Sequence, residues 1–280
     1  MIELRNLTKK FGDFTAVDNL NMTIKTGEFF GLLGPNGAGK TTTISMMSTV
    51  LLPTSGEIII NGERLTRKNS EAKRKLSVIT QEYSMRQDMT IDEVMEYQGR
   101  LYYMPKKMIR EKSDELLEFA GLKEFRKRVV RHLSGGMKRK VMICRALMID
   151  PEILLLDEPT AGMDALSRRQ MWNLLRQIND RELTIILTTH YMEEAENLCE
   201  RIALINKGKL DKIDTPSQLI EDLGKFAVDE MIDGKLTSSF FAERDKAIEF
   251  LSKAGPNAVF RNTTLEDVFV ERIGSRLMKK

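Results

Sequence analysis

The sequence predicts an α/β fold with an N-terminal antiparallel β subdomain, an inserted helical subdomain and a small C-terminal α+β appendage. Three short apolar runs are typical of strands that are buried on both faces. These runs occur at residues 29–33, 153–156 and 184–188. The first 65 residues otherwise favour short strands, whereas the stretch from about 83 to 150 favours helices. We therefore expect one domain over residues 1–215, with the helical subdomain at about 83–150 inserted into it, and the appendage over 216–280.

Alternation and a tight turn predict the N-terminal strands. Leu20, Met22 and Ile24 alternate with polar residues, which is the period of a half-buried strand. The run at 58–60 precedes Asn61-Gly62, a pair typical of a two-residue hairpin turn. The N-terminal region should therefore be rich in short antiparallel strands.

A glycine-rich segment follows the first apolar run, and a predicted helix begins near its end. Its sequence is Gly34-Pro35-Asn36-Gly37-Ala38-Gly39-Lys40-Thr41-Thr42, which matches the phosphate-binding pattern G-x-x-x-x-G-K-[ST]. Glycines let several backbone N–H groups point at one spot, and a helix N-terminus adds the positive end of its dipole. We expect Lys40 to reach the β- and γ-phosphates of a nucleotide, and the Thr41 hydroxyl to bind Mg²⁺.

Two further strand ends carry polar side chains that suit the same chemistry. Asp157 and Glu158 follow the apolar run at 153–156, and His190 follows the run at 184–188. Asp157 is expected near Mg²⁺, Glu158 could orient and deprotonate an attacking water, and His190 could contact the γ-phosphate. An acidic pair after a strand often marks only a turn, and an isolated histidine is often structural. The upstream phosphate-binding loop favours the catalytic interpretation.

Capping signals predict the helices of the central region. Thr90 and Glu93 match a capping box, which predicts a helix to about residue 103. Pro105 suits the first turn of the next helix, and Gly121 suits its C-terminal end. The segment Leu133-Ser134-Gly135-Gly136-Met137 is expected to begin another helix, through about residue 149. Its glycines and serine could form a second anion-binding end, although Ser-Gly-Gly is also a common loop sequence.

Charge is distributed unevenly along the chain. Residues 100–145 contain 14 Lys+Arg and 5 Asp+Glu, a net charge of +9, against +3 for the whole chain. Such a bias commonly marks a solvated face. Otherwise it indicates a surface that faces anions, such as a nucleotide, lipid headgroups or nucleic acid.

The composition argues against a membrane-spanning or disulfide-stabilised chain. Hydrophobic residues make up 41% and charged residues 30%, as in ordinary globular proteins. No apolar run approaches the roughly 20 residues that cross a bilayer, and the N-terminus shows no signal-peptide pattern. Cys144 and Cys199 lie far apart and outside any CxxC motif, so we expect reduced thiols.

The appendage beyond Pro216 is expected to mix strands and helices. A strand is predicted at 226–232 and another at 258–260. Helical spacing predicts one helix around Ala247–Leu251, ended by Gly255-Pro256, and a last helix that begins near Leu265.

The motifs, taken in order, resemble the ATPase subunit of an ATP-binding cassette (ABC) transporter, which is a P-loop NTPase. The resemblance covers about residues 1–215 and rests on an ordered set: the phosphate-binding loop, Gln81 at a strand end, LSGGM at 133–137, ILLLDEP at 153–159, Asp164 and His190. It implies an enzyme that binds ATP and Mg²⁺ and hydrolyses ATP to ADP and phosphate to drive transport.

The resemblance also implies a role for each matched residue. Phe11 would stack on adenine, although on its own a phenylalanine is more often a core residue. Gly34 to Thr42 would wrap the phosphates, while Thr41, Gln81 and Asp157 would coordinate Mg²⁺ directly or through water. Glu158 would be the general base and His190 would orient it. Ser134, Gly135 and Gly136 would bind the γ-phosphate of ATP held by another subunit, and Ala161–Asp164 would be the loop that crosses the dimer interface.

One departure from the family pattern and three short sequence segments indicate which branch of the family this chain resembles. Met137 stands where the commonest signature has Gln, and a methionine cannot make the hydrogen bonds of the amide. The Gly-Gly-Met ending followed by basic residues, together with SRRQMW at 167–172 and LEDVF at 265–269, resembles the daunorubicin-resistance-like exporters. These exporters move drugs, lipids or polysaccharides out of the cell.

We therefore expect a head-to-tail dimer of two copies that lies on the cytoplasmic face of the membrane, beneath a separate multispanning membrane subunit. An alternative is a soluble ABC ATPase that acts on nucleic acid or ribosomes through residues 100–145. Such relatives usually carry two cassettes or a long coiled-coil insertion, so no nucleic acid partner is expected. A regulatory module without turnover is a third possibility, and the presence of Glu158 and His190 argues against it.

Overall fold

The computed structural model describes residues 1–82, 84–180, 182–232 and 234–274, and in these ranges the chain forms thirteen strands and ten α-helices. The strands are β1 (Ile2–Phe11), β2 (Phe14–Ile24), β3 (Phe29–Leu33), β4 (Ser55–Ile60), β5 (Glu63–Arg64), β6 (Leu76–Ile79), β7 (Ile153–Asp157), β8 (Thr184–Thr189), β9 (Arg201–Asn206), β10 (Lys209–Asp214), β11 (Phe226–Ile232), β12 (Lys235–Phe241) and β13 (Val259–Asn262). The helices are α1 (Lys40–Met47), α2 (Ser70–Arg74), α3 (Ile91–Leu101), α4 (Lys106–Phe119), α5 (Gly135–Leu147), α6 (Ala165–Asn179), α7 (Met192–Leu198), α8 (Pro216–Leu223), α9 (Arg244–Lys253) and α10 (Leu265–Phe269).

The central sheet has six strands in the order β10-β9-β3-β8-β7-β6, and all neighbours pair in parallel except β10 with β9. Its middle strands are buried on both faces, as the apolar runs predicted. On β3, Phe29 and Leu33 join one core cluster, whereas Phe30 and Leu32 join another on the opposite face. Parallel pairing places the carboxyl ends of β3, β7 and β8 at one edge of the sheet, which is where α/β proteins bind ligands.

An antiparallel sheet of order β2-β1-β4-β5 covers the face that carries Phe30 and Leu32. The predicted turn after β4 is present, with φ angles of 50° at Asn61 and 84° at Gly62. Both residues adopt left-handed backbone, which asparagine and glycine tolerate. The alternating pattern missed β1, because the strand is irregular between Leu4 and Leu7, where Asn6 takes a left-handed φ of 50° and the alternation of buried residues is broken.

Helices α3, α4 and α5 lie between β6 and β7 in sequence and share a core of their own. The capping box at Thr90 is present, and Gly121 takes a left-handed φ of 67° just after α4. The predicted ends of two of these helices at 103 and 149 are each two residues too late. Pro105 is the N-cap of α4 rather than part of its first turn. Residue 83, the predicted start of this subdomain, lies outside the described residues.

Many basic side chains of residues 100–145 are paired within this subdomain. Arg126 bonds Asp92 and Asp114, Arg100 bonds Glu96, and Lys112 bonds Asp150 at 2.6 Å. Several partner carboxylates lie outside the counted stretch, so the local charge excess is smaller in three dimensions than in sequence.

Strands β11, β12 and β13 form a separate antiparallel sheet with α9 packed on it. The predicted strand at 226–232 is present, and β12 was not predicted. Helices α8 and α10 pack differently, because Leu219, Leu265 and Val268 belong to the same core cluster as Phe29. Arg261 on β13 bridges Asp229 and Asp267, which ties the small sheet to α10. The predicted last helix is α-helical to Phe269, and a π-helical segment follows it to residue 274.

Within the described ranges, we find no helix with the length and apolar character that a bilayer crossing requires.

Candidate active site

The predicted phosphate-binding loop connects β3 to α1, and close backbone contacts fix its glycines. A Cβ at Gly34 would lie 2.3 Å from the carbonyl oxygen of Ile205, and one at Gly39 would lie 2.5 Å from that of Ala16. Gly39 also adopts a φ of 103°, which side chains rarely allow. The loop therefore needs glycine at both positions in order to curl against its neighbours.

A cavity of about 510 Å³ opens above this loop. Its lining brings together residues from five separate parts of the chain: Phe14, Ala16, residues 36–42, Gln81, Glu158, Ala161 and His190. Phe11 is not part of this lining. It lies in the β1–β2 hairpin, 47% exposed, with the Lys9 ammonium 5.1 Å from the centre of its ring. The role of Phe11 against adenine stays a prediction, and Phe14 is a second aromatic that the sequence analysis did not consider.

Lys40 is buried at the base of the cavity, with 5% of its surface exposed. Its ammonium donates to the carbonyl oxygens of Gly34 at 2.8 Å and Pro35 at 3.2 Å. Burial lowers the pKa of Lys40, while the nearby charges of Glu158 and Asp157 oppose that shift. A cation held in a poorly solvated site attracts a phosphate more strongly than one in water.

The Asp157 carboxylate lies beside Thr41, and both residues were predicted to bind Mg²⁺. The Thr41 hydroxyl donates to Asp157 Oδ1 at 3.1 Å, and the Thr188 hydroxyl donates to the same oxygen at 2.5 Å. Hydroxyl, carboxylate and amide oxygens are the ligands that Mg²⁺ takes, so Thr41, Asp157 and Gln81 fit this ion. In the described part of the chain no three His, Cys, Asp or Glu side chains cluster as metal ligands.

Glu158 holds a strained backbone at the centre of the site. Its φ of 47° is uncommon for a residue with a side chain and costs roughly 1–3 kcal/mol. Its N–H donates to the carbonyl and the hydroxyl oxygens of Thr188, both at 3.1 Å. One carboxylate oxygen lies 3.1 Å from His190 Nδ1, and the other accepts from Gln81 Nε2 at 3.4 Å. The structure thus brings Gln81, Glu158 and His190 into one cluster.

The remaining predicted residues lie at two helix starts away from the cavity lining. Ser134 is the N-cap of α5 and accepts from the N–H of Met137 at 3.3 Å, so this segment begins a helix as predicted. Asp164 is the N-cap of α6 and accepts from the N–H of Ser167 at 2.9 Å. The Ser167 hydroxyl also bonds Asp164 and lowers its pKa. Gly136 and Ser167 are neighbours, with 3.6 Å between a Cβ built on the glycine and the serine side chain. The two helix starts are therefore adjacent.

Two residues that hold this site together were not predicted from the sequence. Thr188 is fully buried and bonds both Asp157 and Glu158, and it is the register partner of Asp157 on the neighbouring strand. A threonine at the carboxyl end of an apolar strand was the available signal. Arg139 on α5 donates to the carbonyl oxygens of Thr80 at 2.6 Å and Gln81 at 3.0 Å. It follows the Gly-Gly pair by three residues, but nothing in its spacing pointed to Gln81.

Comparison with known proteins agrees with this geometry. Residues 17–161 match the family described as ABC transporter. The linearmycin resistance ATP-binding protein LnrL of Bacillus subtilis is 40% identical over 224 residues, which cover 80% of this chain and 72% of that protein. The Nod factor export ATP-binding protein I of Cupriavidus metallidurans is 35% identical over 298 aligned positions, with coverage of 99% and 98%.

Solved structures with the same fold include a dimeric post-hydrolysis state of the ATP-binding cassette MJ0796 bound to ADP and Pi. It has 30% identity and a TM-score of 0.69, and it covers 77% of this chain and 98% of that one. The protein cbiO1 of Clostridium perfringens, part of the ABC transporter complex cbiONQ, has a TM-score of 0.73 at 24% identity and covers 78% of this chain and 89% of that one, which shows the fold alone. These matches confirm the resemblance on which the predicted fold rests, and they give no support to the nucleic-acid alternative. The chain belongs to the ABC transporter family, as an ATP-binding and ATP-hydrolysing cassette subunit.

Proposed function

We propose that this chain powers an exporter as a head-to-tail dimer of two copies, docked on the cytoplasmic face of a separate multispanning membrane subunit. One observation carries the proposal. Lys40, Glu158, Gln81 and His190 line one cavity, whereas Ser134–Gly136 and Asp164 lie at helix starts outside that lining. A triphosphate bound to one chain therefore has donors on one side, and the helix starts of a second copy would supply the other side.

In this proposal the residues that line the cavity and those directly beside it have separate tasks. The backbone N–H groups of 36–41 and the Lys40 ammonium bind the phosphates of ATP. Thr41, Asp157 and Gln81 would hold Mg²⁺, which neutralises charge on the phosphates when bound. Glu158 takes a proton from the attacking water, and His190 orients Glu158 through the contact at Oε1. Thr188 fixes the directions of both Asp157 and Glu158.

The second copy completes the site through its helix starts. The α5 N-terminus presents Ser134 and two glycines without side chains, so its N–H groups and dipole can approach a γ-phosphate closely. The loop 161–164 would cross to the partner at the same time. Closure of the dimer then depends on the terminal phosphate, and hydrolysis weakens it.

Export is supported by the printed functions of two relatives, linearmycin resistance and Nod factor export. The membrane subunit would choose the cargo, and drugs, lipids or polysaccharides are the classes that we propose. Gln81 connects the cavity to the helical subdomain. It lines the cavity, and its carbonyl group accepts a hydrogen bond from Arg139 of α5. Motion of that subdomain is therefore the proposed route from nucleotide state to membrane partner.

Replacement of Glu158 tests the catalytic part of the proposal. Glu158→Gln should bind ATP like the unaltered protein and release phosphate at least 100-fold more slowly, since the amide cannot accept the proton. The exposed Glu196→Gln on α7 is the matched control and should be unaffected. Near-normal turnover in Glu158→Gln would refute the general-base role. Co-purification in detergent with a multispanning protein tests the transport part.

A further inference from the structure

Glu194 is a fully buried acid that the proposed chemistry does not use. It lies on α7, four residues after His190, and its exposed fraction is 0%. Burial raises the pKa of Glu194, although hydrogen bonds from Thr189, Thr160 and Trp172 and the charge of Arg168 oppose that shift. Burial of a carboxyl group costs free energy unless it has hydrogen-bond partners. The partners of Glu194 therefore indicate its structural role.

Two donors tie one oxygen of this carboxyl to the start of the loop 161–164 and to the helix that follows this loop. The Thr160 hydroxyl donates to Glu194 Oε1 at 2.7 Å, and the Trp172 indole N–H donates to the same oxygen at 3.2 Å. Thr160 directly precedes the loop 161–164, and Trp172 lies on α6, which begins after Asp164. Glu194 therefore anchors both the entry to that loop and the helix that follows it.

The segment that carries His190 is close to this carboxyl, because α7 begins two residues after His190. Thr189 is near enough to lower the pKa of Glu194, although Glu194 Oε2 has no hydrogen-bond partner among the described residues, and the Thr189 hydroxyl accepts the N–H of Tyr191 at 3.0 Å. The Arg168 guanidinium of α6 lies 5.0 Å from the centre of the Tyr191 ring, and that ring lies 4.1 Å from the His190 ring. Contacts thus run without a break from α6 through Tyr191 and His190 to Glu158.

We propose that Glu194 is a positioning residue that locks the loop 161–164 to the His190 segment, so that contact of this loop with a second cassette sets the His190–Glu158 geometry. The proposal rests on the proposed dimer. In the closed dimer Glu194 would hold Thr160 and Thr189 in one arrangement. Without that acceptor, the loop could engage the partner while His190 remained misplaced.

Three variants on the Thr160–Glu194 contact test this proposal by steady-state phosphate release. Glu194→Leu removes the acceptor at similar size and should lower kcat about tenfold with little change in KM. It should also reduce the cooperativity of hydrolysis in ATP concentration, because two sites that no longer communicate give a Hill coefficient near 1. Glu194→Gln retains an acceptor oxygen and should stay within about threefold of the unaltered kcat. Glu193→Gln, at the exposed neighbouring position, is the matched control.

A double-mutant cycle with Thr160→Val separates positioning from general destabilisation. The double variant Glu194→Leu/Thr160→Val should have a kcat no lower than that of Glu194→Leu alone. The reason is that both changes remove the same hydrogen bond, from Thr160 to Glu194. If Glu194→Leu does not fold, Thr160→Val and Trp172→Phe each remove one donor and should show the same kcat loss and reduced cooperativity. Unaltered kcat and cooperativity in folded variants would overturn the proposal, and so would fully additive losses. Nucleotide-driven dimerisation of Glu158→Gln, measured alongside, reports separately on the proposed function.

Discussion

Replacement of Thr188 by valine tests whether the site depends on one buried hydroxyl. Thr188 is fully buried, donates to Asp157 Oδ1 at 2.5 Å and accepts from the N–H of Glu158 at 3.1 Å. Valine has nearly the same shape, so the change removes these two hydrogen bonds without opening a large cavity. The Glu158 N–H keeps its bond to the Thr188 carbonyl, so the larger loss falls on Asp157.

A hydrogen bond to a charged group contributes about 1.5–3 kcal/mol. Taking about 2 kcal/mol, and one factor of ten in rate for each 1.36 kcal/mol, kcat should fall about 30-fold if the loss is expressed in the transition state. The apparent affinity for Mg²⁺ should weaken too, because Asp157 would no longer be fixed beside Thr41.

The assay is phosphate release at saturating ATP across a Mg²⁺ titration. Thr188→Ser keeps the hydroxyl and should remain within about twofold of the unaltered rate. Thr184→Val makes the same chemical change at the other end of β8, where the hydroxyl accepts from the N–H of Gly27, and should alter stability but not kcat. Unaltered kcat and Mg²⁺ dependence in folded Thr188→Val would refute the reasoning.

Three further predictions concern other parts of the site and fold. Ser134→Ala should cost about 1 kcal/mol of stability through loss of the α5 cap, and should weaken ATP-driven dimerisation, with thermal unfolding and light scattering as readouts. Arg139→Met should release the carbonyl groups of Thr80 and Gln81 and lower kcat about tenfold. Arg139→Lys keeps a charged donor and should retain part of the activity. Equal rates in the two variants would contradict the role given to the guanidinium. The hydrogen bond from Arg261 lowers the pKa of Asp229 below its ordinary 3.8, so the stability that Asp229 contributes is complete above that pH and is lost as pH falls further. Between about pH 6 and 2, the midpoint temperature of thermal unfolding should therefore fall less steeply for Asp229→Asn than for the unaltered chain.

Residues whose role depends on local sequence were predictable, and residues whose role depends on a distant partner were not. A few neighbouring residues were enough to predict three features: the loop 34–42, the strand-end acids and the turn at Asn61-Gly62. Glycine patterns and apolar runs are signals that depend only on the local sequence. Thr188 and Glu194 matter only because a neighbouring strand or helix brings a partner to them.

The same limit explains the C-terminal region. The pattern predicted strand β11 and helix α9 but not that α8 and α10 would share the main core, since their few apolar residues do not reveal which surface they cover. Likewise, Ser134 was predicted at the start of a helix and Asp164 in a loop that crosses the dimer interface, but their distance from the chain's own cavity is a property of the fold. The roles of Phe11 and Met137 stay predictions.

The central claim is that ATP joins two copies of this chain head to tail, and the mass of Glu158→Gln in solution tests it most directly. Size-exclusion chromatography with light scattering, at saturating Mg·ATP, should show a shift from 32.1 kDa to twice that mass. ADP should leave the variant at the lower mass, and Ser134→Ala in the same background should weaken the shift. A Glu158→Gln protein that binds Mg·ATP yet keeps the mass of one chain, alone and beside its membrane partner, would contradict the account.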